Sequence, residues 1–212
     1  MNSIVKHHKP YNDISPSVFR GIEHRLSESV IDRLWDYIAY AKERDDRVDH
    51  LLAGHITSQL RLKDINNWFW NDTCVPLVEQ YKDSYGAQPR GSVSLQHMWV
   101  NFQNKHEFSP IHAHDGYLSF VIFMQIPYDW KTPIFDCKPE ERSAGNFEAL
   151  YLDVDGIRPD TEKDRIYTYT YHLDSSAEGL MVAFPSHTPH LVYPFYNCEE
   201  ERITIAGNIV YD

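Results

Sequence analysis

From Gly91 to the C-terminus the chain is a succession of short β-branched and aromatic runs cut by turn residues, a texture that restricts the fold more than any other feature. It predicts strands at residues 92–102, 117–126, 147–152, 166–173, 179–184 and 202–211. Strands of this kind following a helical segment predict an antiparallel sandwich or barrel with helices packed outside it, not alternating βαβ units. Upstream, Val30, Leu34, Ile38 and Ala41 recur at helical spacing within residues 27–44, widened by Ile31 and Trp35, with Ser29 and Asp32 placed as a capping box. Residues 64–85 predict a second helix that buries Trp68, Leu77, Val78 and Tyr81, is interrupted by Pro76 and stops at Gly86. Between the helices, residues 55–62 alternate as a strand with Ile56, Ser58, Leu60 and Leu62 on one face. The expected class is α+β, mainly β, in a single domain of 212 residues: a helical part over 1–90 that supports a β core over 91–212.

Composition excludes several functions. With 42% hydrophobic and 24% charged residues the chain is a folded one. Its 31 Asp+Glu against 20 Lys+Arg give a net charge of −11, which opposes a phosphate backbone or an anionic membrane surface, so neither nucleic acid nor membrane is an expected partner. No apolar run approaches the roughly 20 residues of a membrane span, and the N-terminus carries no secretory pattern. Cys74, Cys137 and Cys198 are odd in number and far apart, which suits reduced thiols and a cytoplasmic location. Phosphate loops, nucleophile elbows, Cys-x-x-Cys pairs and internal repeats are absent.

Histidine is the anomaly. Of the 12 in the chain, His112 and His114 lie in SPIHAHDGYLSFV and His187 and His190 in FPSHTPHLVYP, with His106 just upstream of the first segment. Residues i and i+2 of an extended strand share a face, so His112 and His114 would present two imidazoles to one cavity, although histidines beside turns are also common on surfaces. His190 follows a strand and a Pro185-Ser186 turn that would return the chain across a barrel mouth. Two ligands from one strand and a third from a remote one form a facial site that leaves positions open on an octahedral iron. His187, followed by Thr188-Pro189, reads as a turn residue or a supporting neighbour.

Twelve residues after His190, Arg202 opens the run Arg-Ile-Thr-Ile-Ala-Gly-Asn. Alternation places Arg202, Thr204, Ala206 and Asn208 on one face and Ile203, Ile205 and Ile209 on the other. An inward arginine needs an anion; its planar fork fits a carboxylate, and Thr204 adds a donor. A surface ion pair with Glu199, Glu200 or Glu201 is the competing reading.

The segments WVNFQ (99–103), SPIHAHDGYLSFVIFMQIP (109–127), LMVAFPSHTPHLVYPF (180–195) and ERITIAGN (201–208) together resemble the 2-oxoglutarate/Fe(II)-dependent oxygenases, in particular those of phage and marine bacteria. The resemblance implies a double-stranded β-helix, that is, a jelly-roll or cupin-like barrel. It further implies Fe(II) at the barrel mouth, with His112, His114 and His190 as metal ligands and no catalytic residue beyond them. The cosubstrate 2-oxoglutarate would be gripped at its distal carboxylate by Arg202 and Thr204, with Asn101 and Asn208 completing the set. One departure stands out: the family's first motif is His-x-Asp/Glu, whereas His114 occupies that position here and Asp115 follows. Either His114 binds, or a bulge turns Asp115 inward and restores a carboxylate.

Three functions follow. The first is an oxygenase that couples decarboxylation of 2-oxoglutarate to hydroxylation of a protein side chain or small metabolite, with dioxygen as co-reactant. The second is a cupin-like three-histidine metalloenzyme that does not use 2-oxoglutarate and so gives Arg202 no dicarboxylate. The third is a non-catalytic ligand-binding barrel with Trp99, Phe108 and Tyr117 as its platform. Substrate identity and oligomeric state, a dimer included, stay open at this level.

Overall fold

The computed structural model of the chain describes residues 12–14, 19–132, 143–152 and 166–212. Among these residues two α-helices, α1 (Glu28–Arg44) and α2 (Val75–Tyr85), accompany eleven strands. These are β1 (Asn12–Ile14), β2 (Gly21–Arg25), β3 (Ser58–Arg61), β4 (Val93–Gln103), β5 (Ser109–His112), β6 (Leu118–Gln125), β7 (Phe147–Leu152), β8 (Ile166–Tyr171), β9 (Leu180–Pro185), β10 (His190–Val192) and β11 (Arg202–Tyr211). A seven-stranded sheet in the order β1-β2-β9-β6-β11-β4-β3 and a four-stranded sheet in the order β5-β10-β7-β8 are antiparallel throughout. This is a two-sheet jelly roll, the antiparallel sandwich that the strand pattern predicts in the form that the resemblance implies.

Two apolar layers hold it together. On the outer face of the large sheet, Leu34, Ile38 and Ala41 of α1 and Leu77, Val78 and Tyr81 of α2 pack on Val100, Phe120, Ile122, Ile205 and Ile209. Each buried Leu, Ile or Val contributes about 1.5–3 kcal/mol of burial free energy. Between the sheets, Val121, Phe123, Val182 and Phe184 meet Phe147, Ala149, Tyr171 and Phe195. Strand β6 is buried on both faces, which explains its apolar run Phe120–Met124. Gly207 of β11 lies under the ring of Phe120, whose Cζ would come within 2.4 Å of any Cβ placed there.

Several local expectations need correction. The capping box is not formed: Ser27 is the N-cap of α1, and its hydroxyl meets that of Ser29. The second helical stretch is broken before Pro76, not at it. Asp64 accepts hydrogen bonds from the backbone N–H groups of Phe69 and Trp70, a π-helical turn covers Trp70–Cys74, and Pro76 sits in the first turn of α2, where its missing N–H costs nothing. Gly86 ends α2 at φ 62°, a left-handed cap that glycine adopts without strain. The strand at 55–62 shortens to β3, and β2 and β3 join the large sheet, so the N-terminal segment contributes strands as well as helices. The short strands β1, β2, β5 and β10 have no counterpart in the predicted set. Cys74 is buried and Cys198 half-buried, both as free thiols, while Cys137 lies outside the described residues. Among the described residues no helix is long and apolar enough to cross a membrane.

Candidate metal and cosubstrate site

Strand β10 pairs with β5 so that His190 stands directly opposite His112. His114 lies two residues past the end of β5, where its backbone N–H donates to Ser186 O at 2.8 Å and holds the loop against the turn after β9. One ring nitrogen from each of His112, His114 and His190 lies within 4.8 Å of the others. Ring centroids are separated by 4.3 Å for His112–His190, 5.0 Å for His112–His114 and 5.2 Å for His114–His190.

Two of the rings are oriented by their own backbone. His112 Nδ1 is 2.7 Å from Pro110 O, and His190 Nδ1 is 2.9 Å from Thr188 O. A carbonyl can only accept, so Nδ1 carries the proton and the Nε2 lone pair is left for a metal. Burial, reinforced by the neighbouring His112, lowers His190 to about 3 and His114 to about 4. Both are neutral at pH 7, the form that binds a cation. Asp115 is exposed and stands outside the cluster, and His187, also exposed, faces a separate groove.

Behind the histidines a cavity runs between the sheets to Arg202. All of Arg202, Thr204, Asn208 and Asn101 line it, on the face that alternation predicts, while Ile203, Ile205 and Ile209 point to the helices. Arg202 is 2% exposed. Its guanidinium donates to Tyr128 Oη at 3.2 Å and Gly145 O at 3.0 Å, and its Nε has no partner. Among the described residues no carboxylate pairs with it; Glu199 pairs instead with Lys105, so the surface ion pair is not formed. A buried guanidinium without an anion is strongly disfavoured, so the chemistry of this pocket calls for one.

Thr204 accepts a hydrogen bond from Asn101 Nδ2 at 3.1 Å. Asn208 Oδ1 accepts from Ser119 Oγ at 2.8 Å. Gln59, Ser119 and Tyr128 escaped sequence reasoning. Gln59 comes from the N-terminal segment, and Tyr128 reaches Arg202 across 74 residues, so neither carries a local signal. The aromatic platform expected for a ligand-binding barrel is not assembled. Trp99 lines the cavity, but Phe108 is exposed and stacks on His55, and Tyr117 donates to Ala87 O on another side of the molecule. His106 is exposed and meets Tyr196 edge-on.

Residues 97–208, slightly over half of the chain, match the family model described as "Putative 2OG-Fe(II) oxygenase". Solved structures share the fold. A prolyl-4-hydroxylase of Pseudomonas putida superposes with TM-score 0.52 at 12% identity, covering 97% of this chain and 94% of that one. The carbocyclase SnoK from nogalamycin biosynthesis gives 0.57 at 8%, covering 90% and 80%. The viral collagen prolyl hydroxylase of Paramecium Bursaria Chlorella virus-1 gives 0.51 at 12%, covering 95% and 96%. No curated relative matches the sequence. The three-histidine cluster fits a ferrous ion and the unpaired buried arginine fits a dicarboxylate, in agreement with the family match: the chain belongs to the 2-oxoglutarate/Fe(II)-dependent oxygenases and is a dioxygenase whose cofactor is Fe(II) and whose cosubstrate is 2-oxoglutarate.

Proposed function

We propose that the enzyme hydroxylates its substrate, with His112, His114 and His190 holding the iron and Arg202 and Thr204 holding the distal carboxylate of 2-oxoglutarate. The observation that carries this reading is Arg202: buried, without a carboxylate partner among the described residues, and lining the same cavity as the histidine cluster. When bound, iron and cosubstrate supply the oxidative chemistry, dioxygen being reduced as 2-oxoglutarate is decarboxylated to succinate.

The residues of the chain bind and orient. Tyr128 and Gly145 hold the guanidinium in place before any ligand arrives, so little ordering entropy is lost on binding. Phe147 and Phe184 pack against the His190 ring, 5.9 and 5.0 Å between centroids, and keep water from that side of the site. Three neutral imidazoles leave more positive charge on the site than two with a carboxylate would, which strengthens the attraction for a dianionic cosubstrate.

A second groove, lined by Trp99, His114 and Asn208 on its inner side and by Arg61, Lys63 and His97 farther out, reaches the cluster from outside and supplies the path for substrate. Its volume of about 620 Å³ falls within the usual range of small-molecule pockets, so it admits a small metabolite or a single side chain of a protein substrate. The three-histidine alternative that dispenses with 2-oxoglutarate would leave Arg202 unpaired.

The test is anaerobic addition of Fe(II) and 2-oxoglutarate to the metal-free protein. The expected result is a weak visible charge-transfer band that needs both additions. No band at saturating cosubstrate would overturn the reading.

A further inference from the structure

We propose that Trp99, Gln59 and Asn101 form a one-way hydrogen-bond chain that fixes Thr204 as a donor to the distal carboxylate of 2-oxoglutarate, making Asn101 a positioning residue for the cosubstrate. The inference rests on the cosubstrate site proposed above and deepens it.

Sheet register builds the chain. Asn101 of β4 stands opposite Gln59 of β3 on one side and Thr204 of β11 on the other, so the three side chains form a row across three adjacent strands on the cavity face. Trp99, two residues before Asn101, shares that face. Asn101 Oδ1 lies 3.1 Å from Trp99 Nε1 and 2.6 Å from Gln59 Nε2, and Asn101 Nδ2 lies 3.1 Å from Thr204 Oγ1.

The polarity is forced by chemistry. An indole N–H donates and never accepts, so the amide atom facing Trp99 must be the Asn101 oxygen. Asn101 therefore turns its NH₂ toward Thr204, whose oxygen accepts. Having accepted from Asn101, the hydroxyl keeps its own proton for another partner in the cavity. Were the Asn101 amide reversed, its carbonyl would take the Thr204 proton, and an incoming carboxylate would meet only lone pairs.

Gln59 shows the same constraint from the other end. It must also donate to Asn101 Oδ1, and its own Oε1 is left buried without a partner. An acceptor without a donor is costly to bury, and turning the Gln59 amide would be worse, since two carbonyl oxygens would then face each other at hydrogen-bond distance. With Arg202 fixing the position of the anion by charge, the chain sets the direction of the second donor.

Isothermal titration of 2-oxoglutarate into the Mn(II)-loaded full chain tests this without turnover. A hydrogen bond to a charged group is worth enough that Thr204→Val should weaken binding by roughly tenfold or more. Asn101→Leu should weaken it by a comparable factor while Mn(II) stoichiometry holds, and Thr204→Ser should restore most of the affinity. The double variant Asn101→Leu/Thr204→Val should bind no more weakly than Thr204→Val, because Asn101 acts only through that hydroxyl.

Wild-type affinity in Asn101→Leu, or a double variant whose loss is the product of the single losses, overturns the chain. If Asn101→Leu does not fold, Trp99→Phe in the same cycle decides: a loss that vanishes in the Thr204→Val background supports the chain, and no loss, or one that persists there, overturns it. Arg202→Ala is the control for the underlying site. Unchanged affinity in Arg202→Ala overturns the site and the chain with it, whereas loss in Arg202→Ala with none in Asn101→Leu overturns the chain alone.

Discussion

Facing the helices, β11 presents Ile203, Ile205 and Ile209 against Val100, Phe102 and Ile122; facing the cavity, the same strand presents Arg202, Thr204 and Asn208, almost as deeply buried but each held by a specific polar partner. The apolar face is interchangeable in kind, since shape and volume decide its worth. The polar face is not. Its desolvation cost offsets most of what its hydrogen bonds return, so it adds little to stability and is explained by what it binds. One strand thus carries a stabilising surface and a binding surface back to back, and substitutions on the two should separate stability from ligand affinity.

The largest separation is expected at the metal. His190→Ala should abolish iron binding and leave the unfolding transition of the metal-free protein nearly in place, as metal stoichiometry and a thermal melt would show. His187→Ala should keep its iron, since that side chain faces away from the cluster. The pair His114→Ala and Asp115→Ala sharpens the departure from the family motif: metal should be lost in the first and kept in the second, and the reverse result would mean that the backbone rearranges around iron.

Next comes Arg202→Ala, which should retain iron and lose cosubstrate. Removing one partner of a buried hydrogen-bonded charge pair costs about 2–5 kcal/mol, roughly thirty-fold or more in affinity for 2-oxoglutarate. Arg202→Lys should recover only part of it, because a point charge cannot reproduce the fork. An unchanged binding isotherm for Arg202→Ala would break the comparison at its centre.

On the opposite face, Ile205→Ala should lower the unfolding free energy by about 2–5 kcal/mol, read in denaturant titration, with 2-oxoglutarate affinity unaltered in the folded fraction. A loss of affinity to match would show that the two faces are coupled through the strand.

A further separation is expected in pH dependence. His190 and His114 are held at about 3 and about 4 in the folded metal-free protein, below the ordinary histidine value of 6.5. Below pH 6.5 the unfolded chain takes up protons that the folded site refuses, so stability is full above that value and declines as pH falls toward 4. The Tm of the metal-free protein should fall over this window, and His190→Ala should flatten the slope.

Much of this was legible in local pattern. Alternation along residues 202–208 put Arg202, Thr204 and Asn208 on one face because a strand's period of two is independent of what surrounds it. The apolar run Phe120–Met124 of β6 and the amphipathic stripe of α1 were readable because they too are local patterns. The short strands β5 and β10 were not, since three or four residues with a histidine at one end carry too little propensity to register. Pro76 misled because its position relative to the helix start, which decides whether it breaks or begins a turn, depended on Asp64 twelve residues earlier.

By itself the sequence determined what each element could offer: two imidazoles two residues apart, a third 76 residues later, and an arginine with a threonine on its face. The tertiary structure alone decided which of these meet. Strand register set His190 opposite His112, brought Gln59 from the N-terminal segment beside Asn101, and placed Tyr128 and Gly145 under Arg202. The physical reason is range: side-chain direction follows from neighbours one or two residues away, whereas register is chosen by burying both faces of the large sheet at once, a property of the whole chain.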